Sequence, residues 1–281
     1  MKGGGFLNSI LVPVDGSSSS TMAEETAAAV AKRSGATVTV LHVMQELLVK
    51  ERLPDNVQDE LLGSIQQRAE VIVNGARTLF AEEKVKVDAE TMTSHDVAGS
   101  ILEYSKKNCD LIVMGVHGEN EKAPYALGSV TRKVTVQARC PVFIAKKLSS
   151  LSSMLVCVDG SKRSTKALEF AVGLAELMNS GITLLYVQEQ RLHRASSKVA
   201  KELGERILTE SLGAVEKRRV KIDKRLEVGV ASDTIVRVAE RGKHDLIVLG
   251  SRGLGAVKRL LLGSVTDDVT QKAECSVLVV P

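Results

Sequence analysis

The chain is written twice. ILVPVDGS at Ile10–Ser17 returns as MLVCVDGS at Met154–Ser161, which sets Asp15 and Asp159 144 positions apart. DLIVMG at Asp110–Gly115 returns as DLIVLG at Asp245–Gly250, 135 positions on, and the pairs Gly128-Ser129 and Gly263-Ser264 keep that second offset. The shortfall falls in the middle of the unit, where the first copy is longer around ERLPDNVQDELLGSIQQRAE. Solenoid units run to about 20–50 residues, so a period near 140 means duplicated domains, and 281 residues leave room for two. The expected division is 1–147 and 148–281, through the polar, Ser-rich linker KKLSSLSS at Lys146–Ser153.

Each copy alternates strand and helix patterns. In the second, Met154–Val158 is apolar throughout, and Ala167, Leu168, Ala171, Leu174, Ala175 and Met178 then recur at helical spacing, with Gly181 as the expected stop. Strands are expected at Ile182–Val187, Ile222–Val228 (an edge), Leu246–Leu249 and Ser276–Val280, and helices at Ser197–Arg218, Thr234–Arg241 and Val265–Ala273. The first copy follows, with strands near Ile10–Val14, Thr37–Val43, Val85–Thr91, Leu111–Met114 and Val142–Ala145. Short apolar strands in βαβ alternation predict an α/β chain, two tandem doubly wound parallel sheets of five strands each.

Composition narrows the function. Aromatics are 2% of the chain and Trp is absent, so rings for stacking single-stranded bases are few. Net charge is +4, split as −1 over 1–147 and +5 over 148–281, which is ordinary surface charge. No DNA or RNA partner is expected. There is no apolar leader in MKGGGFLNSI and no stretch of the ~20 apolar residues a spanning helix needs. Four cysteines without a CxxC pair read as small packed residues in a reducing compartment, and five scattered histidines show no metal-ligand spacing. A cytoplasmic protein without a membrane partner is expected.

The chemistry lies in two glycine patterns. Gly115, Gly118 and Gly128-Ser129 follow one apolar run; Gly250, Gly253 and Gly263-Ser264 follow the other, at the same spacing. In an open parallel sheet ligands sit beyond the carboxyl ends of strands, where strand order reverses. The Asp-Gly-Ser after strand one and the Gly-x-x-Gly after strand four converge only if those strands are neighbours, as in the order 3-2-1-4-5. Glycine admits close backbone approach and positive φ, exposed amides make an anion-binding concavity, and Gly-Ser opens a helix whose first N–H groups are unpaired. The set suits a nucleotide: phosphates on Gly253 and Gly263-Ser264, sugar near Asp159 and Gly250, base toward the end of strand two. It is neither GxxxxGK[ST] nor GxGxxG, since Gly250, Gly253 and Gly255 give GxxGxG.

VDGS, DLIVLGSRGLGAVKRLLLGSV and the terminal CSVLVV resemble the universal stress protein family in tandem form, over about Leu7–Lys146 and Ser153–Pro281. Gly-2x-Gly-9x-Gly-Ser is the spacing of that family's ATP-binding branch. The resemblance implies the adenine nucleotide alpha hydrolase-like fold with strand order 3-2-1-4-5, and ATP (or ADP or AMP), with Mg2+ as an optional companion. In copy two it implies Asp159, Val187, Gly250, Arg252, Gly253, Gly263, Ser264 and Val265 as binding residues. In copy one the matching positions are Pro13, Asp15, Val43, Gly115, Gly118, Gly128, Ser129 and Val130. It also implies that PVFIA and SVLVV pair as last strands, an intrachain pseudo-dimer that hides two edges; a homodimer of whole chains is a further expectation.

Copy one departs where copy two has Arg252, Lys258 and Arg259: it has His117, Glu119, Glu121, Lys122 and Pro124, and carboxylates beside a polyphosphate repel it. Copy two is therefore the expected tighter site. Plainer roles stand beside these. Asp15 and Asp159 also suit Asx turns, Val43 and Val187 suit the core, His117 a solvated loop, and Asp267-Asp268 a first helical turn or a magnesium site. KRRVKIDKR at Lys217–Arg225 suits a solvated face. Three functions remain open: a regulatory protein that binds ATP and changes its contacts with unidentified partner proteins, a slow ATPase or nucleotidyl/phosphoryl-transfer enzyme, and a scaffold with a vestigial pocket. No catalytic motif for phosphoryl transfer is present.

Overall fold

Apolar runs that do not alternate become strands buried on both faces. Ile10, Leu11 and Val12 are all buried, as are Leu111–Met114, Met154–Val156 and Leu246–Leu249. The computed structural model describes residues 5–46, 54–107, 109–118, 127–253 and 261–281. Lobe one runs β1 (Ser9–Pro13), α1 (Ser18–Ser34), β2 (Thr37–Gln45), α2 (Asp55–Glu82), β3 (Val87–Ser94), α3 (Val97–Ser105), β4 (Leu111–Gly115), α4 (Ser129–Gln137) and β5 (Val142–Ala145). Lobe two runs β6 (Ser153–Cys157), α5 (Lys162–Met178), β7 (Gly181–Glu189), α6 (Gln190–Ala195), α7 (Ser197–Gly213), β8 (Ile222–Gly229), α8 (Ala231–Gly242), β9 (Leu246–Gly250), α9 (Ser264–Lys272) and β10 (Ser276–Val280).

Both lobes have the inferred order, but their sheets are not separate. The ten strands form one sheet, β3-β2-β1-β4-β5-β10-β9-β6-β7-β8. β1 lies beside β4 and β6 beside β9, as convergence of the two motifs required. The join is the antiparallel pairing of β5 with β10, with Phe143 opposite Leu278; it is the expected pairing of the last strands. Alternate strand residues feed two cores that each span both lobes. Ile10 and Val12 join α1, α2, α5 and α7 on one face; Leu11 joins α3, α4, α8 and α9 on the other. No described helix is long and apolar enough to cross a membrane.

Local departures have local causes. α5 stops at Asn179 in the left-handed conformation (φ 57), two residues before the expected Gly181, which instead begins β7. Asn tolerates that conformation almost as Gly does, because its short amide bonds locally. α7 ends at Gly213 rather than Arg218, and the short α6 has no apolar periodicity to announce it. The basic Lys217–Arg225 run is the solvated face expected, with Arg218 on Glu176 and Arg225 on Glu227. The cysteines are free and packed as expected; burial pushes the Cys275 thiol up to about 11.

Lys146 ties the lobes at the join. Its Nζ donates to the Ala273 carbonyl at the end of α9 (2.7 Å), and its amide donates to Ser276 Oγ (3.2 Å). Burial lowers the Lys146 ammonium from 10.5 to about 8. The unfolded chain therefore binds the extra proton between those values, and this lysine's penalty to the fold is relieved as pH rises from about 8 toward 10.5. In Lys146→Met the melting temperature should lose that upward contribution, which differential scanning calorimetry of both proteins across this range reads directly. Parallel pH profiles would contradict it.

Candidate functional site

Each site begins in the turn after a lobe's first strand. Gly160 takes φ +82, a conformation that L side chains rarely adopt. Asp159 Oδ1 accepts from the Ser161 amide (2.9 Å), and the Ser161 hydroxyl caps α5 by accepting from the Ser164 amide (3.2 Å). Lobe one repeats this. Gly16 has φ +82, and Asp15 Oδ1 accepts from the Ser17 amide (3.0 Å) and hydroxyl (2.6 Å). The aspartates thus close Asx turns with one carboxylate oxygen and hold the other toward the glycine loop.

That loop is set against them by missing side chains. A Cβ on Gly253 would overlap Asp159 Oδ2, and one on Gly118 would lie 2.9 Å from Asp15 Oδ2. Positive φ is not the reason: among the described residues only Gly16, Gly35 and Gly160 are glycines of that kind. The strand-end glycines serve packing. A Cβ on Gly115 would lie 2.5 Å from the Ser19 backbone oxygen, and one on Gly250 3.1 Å from the Arg163 backbone carbon. These glycines let the first turns of α1 and α5 lie directly over β4 and β9.

The loop of lobe two closes on itself before α9 starts. The Gly263 amide donates to the Ser251 carbonyl (2.9 Å), Arg252 Nε to the Leu261 carbonyl (2.9 Å) and Thr266 Oγ1 to the Gly250 carbonyl (2.8 Å). Gly263 caps α9 without a side chain, so the first-turn amides from Ser264 onward have no side-chain cap. Those amides carry the positive end of the helix dipole. In lobe one Gly128 donates to Val116 (2.9 Å) and Thr131 to Gly115 (3.0 Å), and Ser129 and Val130 open α4 behind an equally bare Gly128. Pro13 ends β1, and Val43 is buried on β2.

All eight expected residues of lobe two line one cavity of about 620 Å³, within the ~300–1,000 Å³ range of small-molecule sites. Asp159, Arg252 and Ser264 give it polar corners; Leu185, Val187, Ile235 and Leu249 give it an apolar wall. Ala231 and Ile235 of α8 and Tyr186 of β7 escaped the sequence reading. The sequence offered a helix only at Thr234–Arg241, whereas α8 begins at Ala231, and its place beside the glycine loop follows only from the crossover. Burial, then Glu189 and Asp159, push the Tyr186 phenol up and keep it neutral.

Among the described residues, two differences between the lobes bear on the site. Where Arg252 pins the lobe-two loop, lobe one has His117, partly exposed, with its Nδ1 covered and without a hydrogen-bond partner among the described residues. Where lobe two has the apolar Leu168, lobe one has buried Glu24, whose carboxyl is pushed up by burial and accepts from Ser20 Oγ (2.9 Å). Lys258, Arg259, Glu119, Glu121, Lys122 and Pro124 lie outside the described residues. Asp267 is engaged by Arg132 (2.9 Å) and Asp268 by Ser232 Oγ (3.0 Å); among the described residues no three His, Cys, Asp or Glu side chains converge as a metal site.

Known proteins match along nearly all of the chain. The family model described as "Universal stress protein family" matches residues 7–146 and 151–281. Universal stress protein YxiE of Bacillus subtilis (strain 168) is 34% identical over 145 residues, 46% of this chain and 98% of that protein. Universal stress protein Slr1230 of Synechocystis is 25% identical over 295 residues, covering 97% of this chain and 99% of that protein. A crystal structure of a universal stress protein from Archaeoglobus fulgidus DSM 4304 superposes with TM-score 0.74 at 24% identity, over 97% of this chain and 98% of that one, a likeness of fold.

Proposed function

Because this chain belongs to the universal stress protein family, we propose that it is a cytoplasmic regulatory protein whose second lobe binds an adenine nucleotide, ATP foremost, and alters its contacts with other proteins. In this reading 1–147 and 148–281 are its two domains. The observation that carries it is the meeting of a helix N-terminus without a side-chain cap, a loop whose Gly253 leaves room for Asp159, and an apolar wall around one cavity. The α9 amides and the Ser264 hydroxyl take the phosphates. Asp159, held by its turn, accepts from the ribose. The base lies against Leu185, Val187 and Ile235. Any Mg2+ would come with the phosphates: Asp267 Oδ2 is held by Arg132, Asp268 by Ser232 Oγ, and Asp267 Oδ1 is buried.

Lobe two is favoured over lobe one because Arg252 brings positive charge to the loop where His117 stands in the other copy. The matching residues of lobe one, from Pro13 to Val130, form a second and weaker site in the same reading. Calorimetric titration of the intact chain with ATP, ADP and AMP tests the assignment. Gly263→Val combined with Ser264→Ala should raise the Kd for ATP at least about tenfold, equivalent to ~1.4 kcal/mol. An unchanged Kd would remove the phosphates from that helix end.

A further inference from the structure

The two lobes are copies, so positions related by the repeat meet across the join. There they carry opposite chemistry. Arg132 on α4 and Asp267 on α9 are the same position of the repeat, 135 apart, and they bond to each other at 2.9 Å. Next to them Lys133 and Arg139 in lobe one correspond to Asp268 and Glu274 in lobe two, also opposite in sign, but Lys133 pairs with Asp96 and Asp268 with Ser232 inside their own lobes, so Arg132–Asp267 is the pair that crosses the join. From this geometry we infer that each lobe's joining face is specified for the other lobe and against a copy of itself.

The same one-sidedness appears in packing. Phe143 and Leu278 are also equivalent positions, face each other across β5 and β10, and are fully buried. A pairing of like lobes would set Phe against Phe or Leu against Leu, overfilling or underfilling one space. Phe6 of lobe one lies on α5 of lobe two, 5.0 Å from the Phe170 ring and in the room left by Gly173. The equivalent positions, Ser150, Thr26 and Ala29, hold no ring and no glycine. Lys146 reaches the Ala273 carbonyl, whereas its equivalent, Pro281, has no amine to offer.

Electrostatics gives the sign of the discrimination. Arg132 is about half exposed and Asp267 is mostly covered, with side-chain exposures of 55% and 24%. The attractive pair alone is therefore modest. Pairing like lobes would oppose Arg132 with Arg132 and Asp267 with Asp267, and such juxtaposition is a strong way to reject a wrong partner. Duplication within one chain thus let the two faces diverge, which a partnership of identical chains could not allow.

Two measurements test this. In the intact chain Arg132→Asp and Asp267→Arg should each lower the melting temperature by about 2–4 °C, and the double reversal should recover to within about 1 °C of the parent. Additive losses in the double variant would overturn the inference. A protease site inserted between Ser149 and Ser150 allows the folded chain to be cut and its halves refolded together. Native mass spectrometry should then find lobe one with lobe two in at least about tenfold excess over either like pair. Like pairs at the statistical proportion would overturn it. The intact-chain arm decides whether or not the cut halves refold.

Discussion

Gly253→Val should abolish the proposed ATP binding in lobe two while leaving the fold intact. A Cβ at this position already overlaps Asp159 Oδ2, and the aspartate cannot simply swing away, because its Oδ1 holds the Ser161 amide at 2.9 Å. The valine must displace either the loop, taking its amides out of line with α9, or the Asx turn that orients the ribose acceptor. Either shift puts donors and acceptors beyond hydrogen-bond reach. The expected loss is at least about 100-fold in Kd, or ~2.7 kcal/mol. Titration of the intact variant reads it, and a circular dichroism melt near that of the parent shows that the loss is local. Binding within a few-fold of the parent would mean that the nucleotide does not use this loop.

The second large effect is on stability, and it separates the lobes. Gly115→Ala puts a methyl 2.5 Å from the Ser19 backbone oxygen and 2.6 Å from its carbonyl carbon, so α1 must lift from β4. Backbone cannot yield as a side-chain tip can, and overpacking of this kind costs about 1–3 kcal/mol or more. At roughly 2–4 °C per kcal/mol the melting temperature should fall by several degrees. Gly250→Ala meets Arg163 at 3.1 Å, where a shift of a few tenths of an ångström suffices, and should cost clearly less. Equal losses in the two variants, measured by thermal denaturation, would show that these strand-end glycines are not the packing contacts described above.

This division of labour among glycines was only partly legible beforehand. Spacing marked Gly250, Gly253 and Gly263 as one group, and the structure does bring them to one cavity. It could not tell that Gly250 spares Arg163, that Gly253 spares Asp159, or that among the described glycines around this cavity only Gly160 needs a positive φ. A glycine in sequence is an absence, and only its surroundings say what the absence accommodates. Asn179 and Gly181 make the converse point. The expected stop was the residue with no side chain, but the asparagine two positions earlier reaches the left-handed region and ends α5 first.

The sequence by itself determined the strands and their order. Runs buried on both faces can only be inner strands of a helix-covered parallel sheet, and two motifs at strand ends can converge only if strands one and four are neighbours. Repetition then guaranteed that whatever one copy builds, the other builds nearly alike. Tertiary structure alone decided which surfaces meet: Ile235 across from the glycine loop, Phe6 on Gly173, Arg132 on Asp267. Periodicity is a property of consecutive residues and survives in one dimension. Contact between residues from different elements depends on the summed twist and crossovers of a whole sheet, which no local pattern encodes.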